Sequence, residues 1–70
     1  MSANCLEVDK TNSIVYVGFD NGYLNTINLV KNTIGPKMKG HEMSINAMGI
    51  NPTNMNLYTV GSDGFLTTWQ

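Results

Sequence analysis

Leu57-Tyr58-Thr59-Val60-Gly61-Ser62-Asp63-Gly64-Phe65-Leu66-Thr67-Thr68-Trp69 is the stretch on which the fold turns. Its opening residues are rich in the β-branched and aromatic types that suit a pleated, half-buried strand. Ser62-Asp63-Gly64 then supplies residues that tolerate positive φ, the chemistry of a tight hairpin turn. Phe65 onward reads as the return strand. A related pattern stands 42 residues earlier, as Val15-Tyr16-Val17-Gly18-Phe19-Asp20-Asn21-Gly22-Tyr23-Leu24-Asn25-Thr26-Ile27.

At that offset residues 1–28 align with 43–70 without a gap, and nine of the 28 positions are identical. They are Met1/Met43, Ser2/Ser44, Asn4/Asn46, Thr11/Thr53, Asn12/Asn54, Tyr16/Tyr58, Gly22/Gly64, Leu24/Leu66 and Thr26/Thr68. Two Asn-rich segments would share a few residues by chance, but not also the turn glycine and the apolar pattern. The repeat is genuine, and its period is that of a four-stranded β unit. Asp9-Lys10-Thr11-Asn12 and Asn51-Pro52-Thr53-Asn54 are matching turns. Strands are expected over about 3–8, 14–19, 23–29 and 34–39, then 44–50, 57–61 and 65–70. Gly35-Pro36 opens the fourth, which suits an edge strand where a missing N–H is tolerated. No segment holds a 3.6-residue apolar period, so no helix is expected.

The polar residues add a second pattern. Gly40-His41 lies in the loop between the repeats, Asp63 follows His41 by 22 residues, Trp69 follows by six more, and Thr59 precedes Asp63 by four. With these spacings the chain resembles the WD-repeat family. The resemblance implies an all-β fold of about two four-stranded antiparallel blades of a β-propeller, the second lacking its outer strand. Residues 1–39 would be a blade with a degraded signature, and residues 40–70 a unit with the full one. It also implies that His41, Thr59, Asp63 and Trp69 form a structural tetrad. The carboxylate would accept from the imidazole and from its own turn, the hydroxyl would link to the imidazole, and the indole N–H would close the chain. The chain departs from the pattern in two ways. It ends Trp69-Gln70 rather than Trp-Asp, and Val17, Asn21 and Ile27 stand in the first unit where Thr59, Asp63 and Trp69 stand in the second. Apolar packing alone is expected to hold that first, less stable unit.

Three runs carry a finer likeness: Gly22-Tyr23-Leu24-Asn25, Lys39 to Ile45 and Leu57 to Gly64. They are similar to the actin-interacting WD-repeat proteins, which assist cofilin in dismantling actin filaments. This implies a non-enzymatic scaffold whose partner is actin or a cofilin–actin complex. The alternatives are a generic intracellular WD-repeat scaffold and a repeat module whose copies assemble together. By the family's geometry, the partner-facing side chains would be Ser44, Asn46 and Ser62 in one unit and Ser2, Asn4 and Asp20 in the other. All are small and polar, unlike the Trp, Tyr and Arg that dominate interface energetics.

Composition narrows the rest. Net charge is −1, with four Lys and no Arg, which gives no electrostatic reason to expect nucleic acid or an anionic membrane. The longest apolar run, Ile14 to Phe19, is far below the ~20 residues that span a bilayer, and no signal peptide is evident. A single Cys permits no internal disulfide and fits a reducing, cytoplasmic setting. One His and one Cys make no zinc site, and no cofactor motif is present. His41-Glu42 as a catalytic pair lacks a nucleophile in any known spacing. Cys5 is expected to be a small core residue, the five Met to fill core gaps, and Lys37-Met38-Lys39 to be a solvated edge. The ten Asn, scattered among apolar residues, suggest compositional drift rather than a low-complexity tract. A domain this small buries only about 60% of its unfolded surface, and propellers close with roughly four to eight blades. The chain is therefore expected to serve inside a longer chain or an assembly, not as a closed monomer.

Overall fold

The computed structural model describes residues 2–69. Met1, which carries one of the nine identities, and Gln70, the last residue of the signature, lie outside the described residues. The fold is all-β, with two antiparallel sheets and no helix among the described residues. The first sheet is a meander of β1 (Ala3–Asp9), β2 (Ile14–Phe19) and β3 (Tyr23–Asn28), with β4 (Thr33–Ile34) and β5 (Met38–Lys39) both paired to β3. The second is β6 (Ile45–Ile50), β7 (Leu57–Gly61) and β8 (Leu66–Trp69), in that order. Neither sheet closes on itself.

The single strand expected over 34–39 is split. Gly35 still donates its N–H to Thr26 O at 2.8 Å, and then the chain leaves the ladder. Pro36 has no N–H to continue it. Pairing resumes with Leu24 opposite Met38 and Tyr23 opposite Lys39.

The 42-residue repeat extends to backbone detail. The β1–β2 register shifts between Ala3 and Cys5, and the β6–β7 register shifts between Ile45 and Ala47. Each shift is a bulge, and the extra residues are Asn4 and Asn46. Asp20 donates to Ser2 O and Ser62 to Ser44 O, both at 2.8 Å. The turn glycines Gly22 and Gly64 have φ of 87° and 85°. Ser13 and Met55, also 42 apart, sit at φ 56° and 61°, a conformation that side chains with a Cβ rarely adopt.

Those two residues end matching turns. Asp9 Oδ1 accepts from Thr11 N at 3.0 Å and Asn12 N at 3.1 Å, and Asn51 Oδ1 accepts from Thr53 N at 2.9 Å. A third turn has the same design: Asn28 Oδ1 accepts from Val30 and Lys31, and Asn32 takes φ 56°. Asn21 and Asn54 accept from Tyr23 N and Asn56 N in the same manner. These asparagines are turn formers, using the short amide to satisfy backbone N–H groups where the ladder stops. Beside compositional drift, these positions thus have a structural use.

Leu24, Ile45 and Leu57 form the buried core between the sheets, with Cys5, Tyr16, Met38, Met48, Ile50 and Trp69 packed around them. Met38 is thus part of the core and not of a solvated edge, whereas Met43 is exposed. Cross-strand pairing sorts the faces, because partners in a ladder share one side. Cys5, Gly18, Leu24 and Met38 lie in one row facing the second sheet. A Cβ at Gly18 would come within 2.9 Å of Ile45 Cγ2, so that approach needs a residue with no side chain. The opposite face of the first sheet carries Leu6, Val8, Val15, Val17, Ile27 and Ile34.

Candidate functional site

His41, Thr59, Asp63 and Trp69 come together behind the Gly61–Gly64 turn. The chain reaches this point because Gly22 O accepts from both Gly40 N (3.0 Å) and His41 N (3.1 Å), anchoring the loop to the turn of the first sheet. From there the imidazole points into the second sheet. His41 Nδ1 lies 3.0 and 3.2 Å from the two oxygens of Asp63, and Nε2 lies 2.8 Å from Thr59 Oγ1. Trp69 Nε1 donates to the same hydroxyl oxygen at 3.1 Å. Asp63 also accepts from Glu42 N at 3.1 Å and Phe65 N at 3.2 Å.

With a neutral imidazole, one proton arrangement satisfies every member. An indole nitrogen only donates, so Thr59 Oγ1 accepts there and has its own proton left to give. The imidazole takes that proton's hydrogen bond at Nε2 and donates from Nδ1 to the carboxylate. Indole to hydroxyl to imidazole to carboxylate is then a directed chain with every member satisfied, as buried polar groups require. No buried side-chain polar atom among the described residues lacks a partner. Burial alone would raise the Asp63 pKa, but the hydrogen bonds from His41, Phe65 and Glu42 outweigh it and hold the carboxyl below its ordinary value.

A hydroxyl, an imidazole and a carboxylate in this order have the connectivity of a nucleophilic triad. Here the hydroxyl and the imidazole are both enclosed. Thr59 is 0% exposed and His41 is 3% exposed. The Thr59 oxygen is also occupied by the indole N–H. A Cβ at Gly61 would stand 2.5 Å from His41 Nδ1, so backbone closes over the imidazole as well. The arrangement ties β7, β8 and the 40–41 loop together through one hydrogen-bonded chain. No group of three or more His, Cys, Asp or Glu among the described residues is placed to hold a metal ion.

In the first unit, Asn21 reproduces only the turn half of the Asp63 role, through Tyr23 N at 3.2 Å. Val17 and Ile27 replace the hydroxyl and the indole, and they stand on the outer face of the first sheet. Cys5 is half-buried beside Ile45, its Sγ 3.6 Å from that residue's carbonyl oxygen, and burial raises its thiol pKa.

The six residues singled out as partner-facing cluster at one end of the sheets. Ser2 N donates to Asp20 Oδ1 at 2.9 Å. Asn46 and Ser62 pair through both amide atoms, at 2.9 and 3.1 Å. Asn4 Nδ2 donates to Ser44 Oγ, which ties the bulge of the first sheet to the entry of the second. Ser2, Asn4, Asp20, Asn46 and Ser62 are exposed and Ser44 is half-exposed. The repeat pattern did not signal two of the links between the units, Asn4 to Ser44 and Gly22 O to the 40–41 backbone. The second of these leaves no side-chain signature.

No family model matches this chain, and no curated protein matches it. No helix among the described residues is long and apolar enough to cross a membrane.

Proposed function

We propose that this chain is a pair of successive units of a WD-repeat β-propeller and acts as a non-enzymatic scaffold for protein partners in the cytoplasm. The observation that carries the reading is the directed hydrogen-bond chain of Trp69, Thr59, His41 and Asp63 at the spacing of that family. Support also comes from the 42-residue recurrence of bulge, turn and left-handed residue. The polar cluster of Ser2, Asn4, Asp20, Ser44, Asn46 and Ser62 is the proposed contact surface. Asn4 bonds Ser44, Asn46 bonds Ser62, and Asp20 holds the Ser2 backbone, so a partner meets a preorganised patch and little ordering entropy is lost.

On the finer likeness, the proposed partner is actin or a cofilin–actin complex. Co-sedimentation of the chain with actin filaments, with and without cofilin, tests this. The chain is expected to pellet with filaments, and Ser62→Arg is expected to reduce pelleting without changing the circular dichroism spectrum. No pelleting under either condition removes actin and leaves a scaffold for another protein.

A further inference from the structure

The contact between the two sheets is made by two different faces. The first sheet offers Cys5, Tyr16, Gly18 and Leu24, and the second offers Ile45, Leu57, Thr59 and Trp69. Each sheet therefore has a second face that is bare in this chain. The 42-residue repeat says what those bare faces are. On the second sheet, Ala47, Tyr58, Val60 and Leu66 stand at the positions of Cys5, Tyr16, Gly18 and Leu24. On the first sheet, Ala3, Val15, Val17 and Ile27 stand at the positions of Ile45, Leu57, Thr59 and Trp69. The bare pair repeats the covered pair. We infer that a second copy of this chain docks head to tail, laying its Leu6–Ile27 face on the Val60–Leu66 face of the first.

Three features of the bare faces fit each other. The first is size. Inside the chain, Gly18 leaves room for Ile45. At the equivalent point between copies, Val60 replaces the glycine and Ala3 replaces the isoleucine, so the bulk crosses to the other side and the sum is kept. Close packing tolerates such volume-conserving exchange and penalises a one-sided change.

The second feature is polarity. The covered face of the second sheet includes a hydroxyl and an indole N–H, which the His41 network satisfies. The equivalent bare face has Val17 and Ile27 there, so docking buries no hydroxyl or indole N–H at those positions, and the polar side chain opposite Val17, Asn25, already accepts from Thr26 N. Leu6 at 64% exposure and Leu66 at 63% are large apolar side chains held in water, and an extended apolar patch of this kind marks an interaction surface.

The third is a hydrogen bond. Asn4 Nδ2 donates to Ser44 Oγ across the internal contact. Asn and Ser recur at 46 and 2, so Asn46 of one copy reaches Ser2 of the next in the same way, exchanging its present bond to Ser62. These identities belong to a contact that is used twice.

Because the two faces differ, the contact is heterologous and each copy uses both of them. That property makes the test decisive. Leu6→Arg blocks one face and Leu66→Arg the other, and both residues are exposed within the chain, so the monomer fold tolerates the charge. Sedimentation velocity of the unmodified chain is expected to show association beyond the monomer. Each variant alone is expected to weaken it by about 100-fold or more, since docking would bury an unpaired charge. An equimolar mixture of the two variants retains one intact pair of faces and is expected to give a 1:1 dimer that goes no further. A folded chain that stays monomeric at ~100 μM overturns the inference, with the bare faces then left to other occupants. So does a mixture that stays monomeric, an association that only one variant affects, or a precipitate insensitive to both. Filament co-sedimentation reports on the partner surface separately, so failure of one assay is distinguishable from failure of the other.

Discussion

Thr59→Val isolates the polar network from its packing. Valine has nearly the shape of threonine, and residue 59 is fully buried, so the substitution opens no cavity and admits no water. What disappears is the oxygen that sits 2.8 Å from His41 Nε2 and 3.1 Å from Trp69 Nε1. His41 is almost completely enclosed, and an unsatisfied buried nitrogen costs about 1–3 kcal/mol. Trp69 is half-buried, so its N–H recovers some solvation and adds about 1 kcal/mol. The expected loss is about 2–4 kcal/mol. A domain of this size has roughly 4–10 kcal/mol to lose, so the effect is a large fraction of the whole. In urea, with a slope near ~1 kcal/mol/M, the midpoint should fall by roughly 2 M or more. Far-ultraviolet circular dichroism is the preferred readout, because Trp69 fluorescence responds directly to its lost partner. Thr59→Ser is the control. It keeps the hydroxyl and loses one methyl, worth about 1 kcal/mol. A valine variant within ~0.5 kcal/mol of the unmodified chain, or one less destabilised than the serine variant, would refute the reasoning.

Trp69→Phe should cost ~1–3 kcal/mol, since Thr59 Oγ1 loses its donor while its bond to His41 persists; denaturation midpoints measure it. Gly61→Ala should cost about 1–3 kcal/mol by overpacking, because the new methyl would enter the space of His41 Nδ1 and Asp63 Oδ1, and loss of the His41 ring resonances in NMR would locate the damage. Ser13→Gly should raise the melting temperature, because φ of 56° costs a residue with a Cβ about 1 kcal/mol; a lower melting temperature would show that the turn is not strained. The pH dependence has a definite sign. Asp9, hydrogen-bonded foremost by the Asn12 side chain, and Asp63 both have depressed pKa values. The stability they contribute is complete above the ordinary carboxylate value and is lost as pH falls below about 4 through the folded values. A melting temperature unchanged between about pH 5 and pH 3 would contradict this.

Strands β2, β3, β6 and β7 were legible because turn chemistry and apolar alternation agree at each of them, and agree twice, 42 residues apart. The proximity of His41, Thr59, Asp63 and Trp69 was legible for another reason. It rests on the family resemblance that their spacing carries, and in the structure the register of β7 against β8 brings Trp69 to the Thr59 hydroxyl. The break at Pro36 was underestimated, since a strand pattern in side chains does not show where the missing N–H interrupts the ladder. The left-handed residues Ser13 and Met55 were invisible because neither is a type that favours positive φ. The turn before each of them imposes that conformation through an Asp or Asn acceptor. The bulges at Asn4 and Asn46 were hidden likewise, because an extra residue leaves the two-residue alternation readable on either side of it.

The carbonyl of Gly22 has a consequence for how the chain comes apart. It belongs to the first sheet, yet it holds the backbone of residues 40 and 41, whose imidazole is committed to the second. In repeat architectures, stability divides into a share for each unit and a share for each junction between neighbours. Here the junction includes that double hydrogen bond, the Ile45 side chain against Gly18 and the Asn4–Ser44 link, while each unit alone is a small meander with little core. The larger share therefore lies at the junction. Neither sheet can melt without releasing the restraint on the other, so heat or denaturant should unfold residues 2–69 in one cooperative step, with no half-folded species between.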